Sequence, residues 1–221
     1  LVKDYLAGSP RALSFFEGDP STPEAYRAKA DEVATRFDGA SRRAAARAIV
    51  TAPGPSAERL ERVLAEDGFF VTTGQQPGLF GGPLYSIYKA LTAIGLANRL
   101  EDLLGRPVAP LYWVASEDHD WPEVDHVDLV DMENEVRRVR LAEDPAREGR
   151  PLFRVPLNDP LNRALDEFCA GLPNSDFAEP FLGILKKGYG AGATMGSGFL
   201  GTLQDLLAPL GLCFVDAADP A

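Results

Sequence analysis

The feature that most constrains this chain is a pair of short apolar runs bracketing a glycine-rich loop and a long helical stretch. Phe69-Phe-Val-Thr-Thr73 is apolar and β-branched, with no alternating polar face. That pattern predicts a strand buried on both sides. Gly74-Gln-Gln-Pro-Gly-Leu-Phe-Gly-Gly-Pro83 follows, and then Leu84–Leu104, strongly helical and closed by Gly105 and Pro107. Val108–Ala115 is a second buried strand. Strand, helix and strand in this order make a βαβ unit, whose crossover is right-handed and whose strands are parallel. The fold class predicted is α/β with a parallel sheet.

The remainder is read around that unit. Residues 1–68 carry no strand signal and read as a helical preface. Thr22-Pro23 is a cap and helix-starting proline before Glu24–Phe37, and Ser41–Val50 and Ser56–Glu66 are two further helices. Beyond the unit, Val124–Val130, Val136–Leu141 and Phe153–Leu157 read as strands. Asp159–Ala170, Phe177–Gly188 and Phe199–Leu210 read as helices, and Leu212–Val215 as a last short strand. This divides the chain into a helical segment, 1–68, and an α/β domain, 69–221. The α/β domain reads as incomplete, because the sequence stops at Ala221 with no closing helix.

Composition narrows the function classes. A net charge of -11 opposes non-specific binding to a phosphate backbone, so no nucleic-acid partner is expected. No apolar run is long enough to span a bilayer, and the start, with early acids and Pro10, is unlike a signal peptide. Cys169 and Cys213 lie in apolar surroundings without CxxC spacing, which suits reduced core cysteines and a cytoplasmic protein. With two histidines and two cysteines, no dedicated metal site is assigned.

Two segments carry chemistry. In the first, a strand, a glycine-rich loop and a helix start form an anion site from backbone N–H groups, with Gly74, Gly78, Gly81 and Gly82 permitting close approach. The spacing is neither GxGxxG nor GxxxxGK[ST], so generic dinucleotide and P-loop readings are disfavoured. Lys89 lies one turn after Tyr85 on the same helix face, and helical side chains lean toward the N-terminus, which aims its ammonium at the loop. Gln75 and Gln76 add donors and acceptors at the strand end, where α/β ligands bind. The alternative is a tight turn with a solvated lysine.

The second is Ser116-Glu-Asp-His-Asp-Trp-Pro-Glu-Val-Asp-His126, which holds both histidines of the chain. Glu117, Asp118, His119, Asp120 and His126 suit binding of a substrate amine, holding of Mg²⁺ that bridges nucleotide phosphates, or acid–base work. The alternative is a solvated acidic loop with His126 starting a strand. Both segments follow strands of one parallel unit, so both are expected at one sheet edge, facing one cleft. Trp113 is expected in the core, and Trp121 is left open.

At these segments the sequence resembles the bacillithiol biosynthesis cysteine-adding enzymes, the BshC family. The resemblance is carried by Thr73-Gly-Gln-Gln-Pro-Gly-Leu-Phe-Gly-Gly-Pro-Leu-Tyr-Ser-Ile-Tyr-Lys89 and by Pro110-Leu-Tyr-Trp-Val-Ala-Ser-Glu-Asp-His-Asp120 with Glu123 and His126. Weaker likeness runs from Asp4-Tyr5 to Gly211-Leu-Cys-Phe-Val-Asp216. The resemblance implies the Rossmann-like N-terminal part of a longer ligase that joins cysteine to glucosaminyl-malate, the whole dimerising through a C-terminal coiled coil. Amide formation needs an activated carboxylate, which implies ATP or another nucleotide, with Mg²⁺ as its companion. On this reading His119, Asp118 and Asp120 are catalytic. Gly74, Gln75, Gln76, Gly78, Gly81, Gly82, Tyr85 and Lys89 hold the nucleotide, and Glu117 and His126 the substrate. Two other readings stay open: a non-catalytic nucleotide-binding module, and a metal-dependent hydrolase using Glu117–Asp120.

Overall fold

The computed structural model describes residues 2–173 and 175–219; the chain-end readings at Leu1 and Ala221 lie outside them. The elements in order are α1 (Val2–Leu6), α2 (Pro10–Leu13), α3 (Pro23–Arg36), α4 (Gly39–Ala45), β1 (Ile49–Val50), α5 (Pro55–Ala65), β2 (Phe69–Gln75), α6 (Tyr85–Leu104) and β3 (Val108–Val114). Then come α7 (Trp121–Val124), β4 (His126–Val130), β5 (Val136–Arg140), α8 (Asn158–Gly171), α9 (Ala178–Gly188), α10 (Met195–Leu207) and β6 (Cys213–Asp216).

The four-stranded sheet has the order β1-β6-β3-β2. β2 and β3 pair in parallel, as do β3 and β6, so their C-terminal ends share one edge. Gln75, Val114 and Asp216 stand side by side there. The predicted βαβ unit is therefore present. α6 ends at Gly105, which is left-handed at φ 61 and leaves the helix without a Cβ penalty.

Two expectations are corrected. Ile49–Val50 is not the end of a helix: it pairs antiparallel with Val215 and Phe214 and closes the far edge of the sheet. The partners are 166 and 164 positions on, so no local pattern announces them, and the alanine-rich run before the strand favours helix. Phe153–Leu157 is a turn with a single bridge from Pro156 to Thr194, not a strand. Its apolar alternation serves another purpose, placing Leu152, Val155 and Leu157 in the core. Pro156 has no N–H to give a ladder.

Two cores result. Ala90 and Ile94 of α6 and Phe199 and Leu203 of α10 pack on Tyr112, Val114 and Phe214, covering one sheet face. Val63 of α5 packs on Ala109 and Cys213 on the other. A separate core joins the antiparallel β4–β5 pair to α8 and α9, and Leu79 and Phe80 of the glycine-rich loop are embedded in it. Trp113, expected inside, is 46% exposed, because α5 covers only the first half of its face. Both cysteines are free; Cys213 is buried and Cys169 packs half-buried against the second core. Among the described residues no helix is long and apolar enough to cross a membrane.

Candidate functional site

The glycine-rich loop leaves β2 at Gln75 and is held from inside. Leu79 and Phe80 are buried, with the Phe80 ring 5.1 Å from Phe168 and 5.4 Å from Tyr189. The buried Tyr189 hydroxyl donates to the Gly78 carbonyl at 2.9 Å. Its oxygen is in turn approached by the backbone N–H groups of Gly81 and Phe80, although burial dominates and pushes the phenol well above its ordinary range. Two loop donors of the kind that bind anions thus face a phenol inside the protein. Gly81 and Gly82 have φ of 96° and 68°, and a Cβ on Gly78 would stand 2.8 Å from the Gly82 Cα. These glycines let the loop fold tightly on itself. Phe80 shares the left-handed region at φ 52°, a strain its buried ring offsets.

What remains open lies at the helix side of the loop. Lys89 is half-buried; its Nζ donates to the Gly74 carbonyl at 2.6 Å and the Gln75 Oε1 at 3.1 Å, and sits 5.9 Å from the Tyr85 ring centre. The lean of the side chain toward the loop is as the helix geometry demands. An ammonium has three N–H bonds, so one direction remains for an incoming oxyanion. Lys89 and Tyr85 line a groove of about 340 Å³ with Val71, Thr73 and Tyr88.

The acidic segment leaves β3 one residue later, at the same edge. Asp118 accepts the backbone N–H groups of His119 (2.6 Å) and Asp120 (3.0 Å), a closed turn that fixes the segment. Its own backbone carbonyl accepts Leu152 N–H at 2.8 Å, and that of Ser116 accepts Phe153 N–H at 3.1 Å. Glu117, His119 and Asp120 are exposed. Gln76 donates to Glu123 at 2.8 Å, so the two segments touch. His119, however, lines a different depression of about 410 Å³, with Trp121, Asp125, Arg140 and Arg147. Lys89 and His119 share an edge and not one pocket. His126 opens β4 with its Nδ1 3.1 Å from Asp125, which also holds Arg140 at 3.0 Å. Trp121 is core: it is buried, donates from its indole to the Arg150 carbonyl, and carries the Arg147 guanidinium over its ring. Among the described residues, no group of three or more His, Cys, Asp and Glu converges on a point that could hold a metal.

Sequence reasoning missed one pair. The buried Ser116 hydroxyl donates to the Asp216 carboxylate, tying the end of β3 to the end of β6. The signal was an acid terminating the apolar run Cys213-Phe-Val-Asp216, the place where such sheets present functional groups. A Cβ on Gly196 would meet the Ser116 Cβ at 2.8 Å, so the start of α10 presses on this pair. The α10 start is itself closed by a capping box between Thr194 and Ser197.

A mostly parallel sheet, helices on its faces and polar loops gathered at the strand C-termini define an α/β protein of the Rossmann-like class, with Gln75, Ser116 and Asp216 along the C-terminal edge of the strands. The family model described as "Bacillithiol biosynthesis BshC, N-terminal Rossmann-like domain" matches residues 1–221, and the chain belongs to that family. A protein of Solibacter usitatus named "Putative cysteine ligase BshC" is 36% identical over 221 residues, covering 100% of this chain and 40% of the relative. A relative of the same name from Symbiobacterium thermophilum is 32% identical over 237 residues, 42% of its length. One from Exiguobacterium sibiricum reaches 50% identity over 70 residues. The chain spans about two-fifths of the curated relatives that it matches end to end.

Proposed function

We propose that this chain forms the N-terminal part of an amide-forming ligase of bacillithiol biosynthesis, which joins cysteine to glucosaminyl-malate after nucleotide-dependent activation of the cysteine carboxylate. The observation that carries the reading is the meeting of two polar segments at the ends of adjacent parallel strands, joined by Gln76 and Glu123. The family's description and the relatives' names support a place in bacillithiol biosynthesis and cysteine as the group ligated.

Water is a poor medium for amide formation because a carboxylate has no leaving group; ATP, or another nucleotide with Mg²⁺, supplies one. The chain's own residues then have positional work. Lys89, held by Gly74 and Gln75, presents its remaining N–H to a phosphoryl oxygen, with Tyr85 and Gln76 beside it. Gly78, Gly81 and Gly82 keep the loop close to the helix start. His119, exposed on a turn fixed by Asp118, accepts the proton that the attacking amine of glucosaminyl-malate loses. Glu117 and Asp120 attract the cysteine ammonium, and His126 with Asp125 lines the substrate side. A magnesium ion would travel with the phosphates and take one or two of these carboxylates. The full-length protein acts in the cytoplasm as a homodimer through its C-terminal coiled coil.

The test uses the full-length enzyme with cysteine, glucosaminyl-malate and ATP, followed by mass spectrometry. Product together with nucleotide cleavage supports the proposal. Nucleotide binding without turnover refutes it in favour of a binding module, and hydrolysis without cysteine in favour of a hydrolase.

A further inference from the structure

Residues 142–151 form a surface loop in which every residue is exposed or part-exposed except Arg147, which is 5% exposed. Arginine is a rare choice for the single buried position of a loop. Taking a guanidinium out of water is repaid only if its N–H groups find partners. On one side they do: Nη1 donates to the Ala142 carbonyl at 2.8 Å, and the Trp121 ring lies against the guanidinium, its centre 5.5 Å from Cζ. On the other side they do not: Nε and Nη2 are buried and bond to nothing. Asp144 comes near, with Oδ2 3.9 Å from Nε, but that is beyond hydrogen-bond range. Its Oδ1 is engaged elsewhere, accepting the Ala146 N–H at 2.9 Å. Burial pulls the Arg147 pKa below its ordinary value, and the charges of Asp144 and Asp125 oppose this only in part.

The unmet pair has a shape. Nε–H and Nη2–H lie parallel along one edge of the planar guanidinium, at the spacing that takes both oxygens of one carboxylate. Arg147 lines the depression of about 410 Å³ that also holds His119 and Arg140. Arg140 gives one N–H to Asp125 at 3.0 Å, which leaves the rest of its exposed guanidinium for a second anionic group. Glu143, Asp144 and Glu148 stand in the same depression. A ligand with anionic groups alone would be repelled by these acids. One that carries hydroxyl or amino donors beside its carboxylates meets both signs.

We propose that this depression is a carboxylate subsite anchored by Arg147, and that it takes the malyl end of glucosaminyl-malate, whose sugar hydroxyls and amine turn toward the acids and His119. The occupant rests on the function proposed above; the unmet fork does not. Nucleotide phosphates would face the same acids with no donors of their own, and cysteine, with one carboxylate, would leave Arg140 unused. The depression is separate from the Lys89 groove, so nucleotide and acceptor need not compete. To admit the carboxylate Asp144 must swing aside, at the cost of its one hydrogen bond to Ala146 on an exposed turn.

The test is calorimetry on the full-length protein with two probes, glucosaminyl-malate and L-malate alone. Arg147→Met keeps an unbranched stem against Trp121 and removes the fork. It should weaken both probes at least about tenfold and leave ATP affinity unchanged. Its melting temperature should not fall, since an unmet buried charge goes with the substitution. Arg147→Lys, a point charge without the fork, should bind as weakly as the Met variant. Parent-like affinity in Arg147→Met overturns the proposal, as does a parent protein that binds neither probe. Weaker binding together with a lower melting temperature also overturns it, marking Arg147 as a pin that holds the loop. If the parent makes no amide product yet binds L-malate through Arg147, the ligase reading falls and the carboxylate subsite stands.

Discussion

Replacing Tyr189 by phenylalanine isolates one hydroxyl. The ring stays, so its edge-to-face contact with Phe80 at 5.4 Å and the surrounding packing are kept. What goes is the donor to the Gly78 carbonyl, together with the oxygen that the Gly81 and Phe80 N–H groups of the same loop approach. A buried donor or acceptor left unmade costs roughly 1–3 kcal/mol. With some readmission of water by the loop, the sum should be about 2–4 kcal/mol, confined to residues near the loop. At about 1.4 kcal/mol per tenfold, local opening should rise at least about 30-fold. Hydrogen exchange of the Phe80 and Gly81 amides in the full-length protein reads this directly. Nucleotide affinity should fall as well, because Lys89 and Gln75 lean on the same loop. If those amides exchange at the parent rate in Tyr189→Phe, the hydroxyl does not hold the loop and the reasoning is wrong.

Lys89→Ala should weaken nucleotide binding at least about tenfold in calorimetry, and should destabilise by about 1–2 kcal/mol because the Gly74 carbonyl loses its donor; unchanged affinity would remove Lys89 from the site. His119→Asn should abolish ligation in the full-length enzyme with the melting temperature unchanged, as the side chain is exposed; residual activity near the parent level would end its role. Stability should fall with alkali. Burial raises the Cys213 thiol from 9.0 to about 11 and the Tyr112 phenol from 10.0 to about 12, so the unfolded chain ionises first and the contribution, complete below about pH 9, is lost above it. A urea midpoint flat from pH 8 to 11 would contradict this. Ser116→Ala should leave the Asp216 carboxylate without its buried donor and cost about 1.5–3 kcal/mol, checked by thermal unfolding.

The parts of the fold that were legible in the sequence are those determined locally. Phe69–Thr73 and Val108–Ala115 declare themselves by unbroken apolar runs, α6 by its stop at Gly105, and the direction of Lys89 by helical geometry. The parts that were not legible depend on distant partners. Ile49–Val50 becomes a strand only because β6 lies beside it. Trp113 is exposed because α5 stops short of it, which no property of β3 reveals. The glycines of the loop read as an anion cradle, and the residue that occupies its inward side, Tyr189, is 111 positions from Gly78. The position of His119 away from Lys89 follows from the turn at Asp118, whose closure depends on a carboxylate the sequence offered equally to metal, substrate or backbone.

The stapling of the acidic segment has a mechanical consequence. Leu152 donates its N–H to the Asp118 carbonyl and accepts the N–H of Gly196 at the first turn of α10, so three stretches far apart in sequence are tied together. A ligand pulling on the Asp118 turn would have to drag a helix buried against the sheet. Rearrangement is thereby discouraged here, and this edge is built as an anvil: under the proposed function, a lid would have to come from the opposite side and meet the Asp118–His119 turn already fixed.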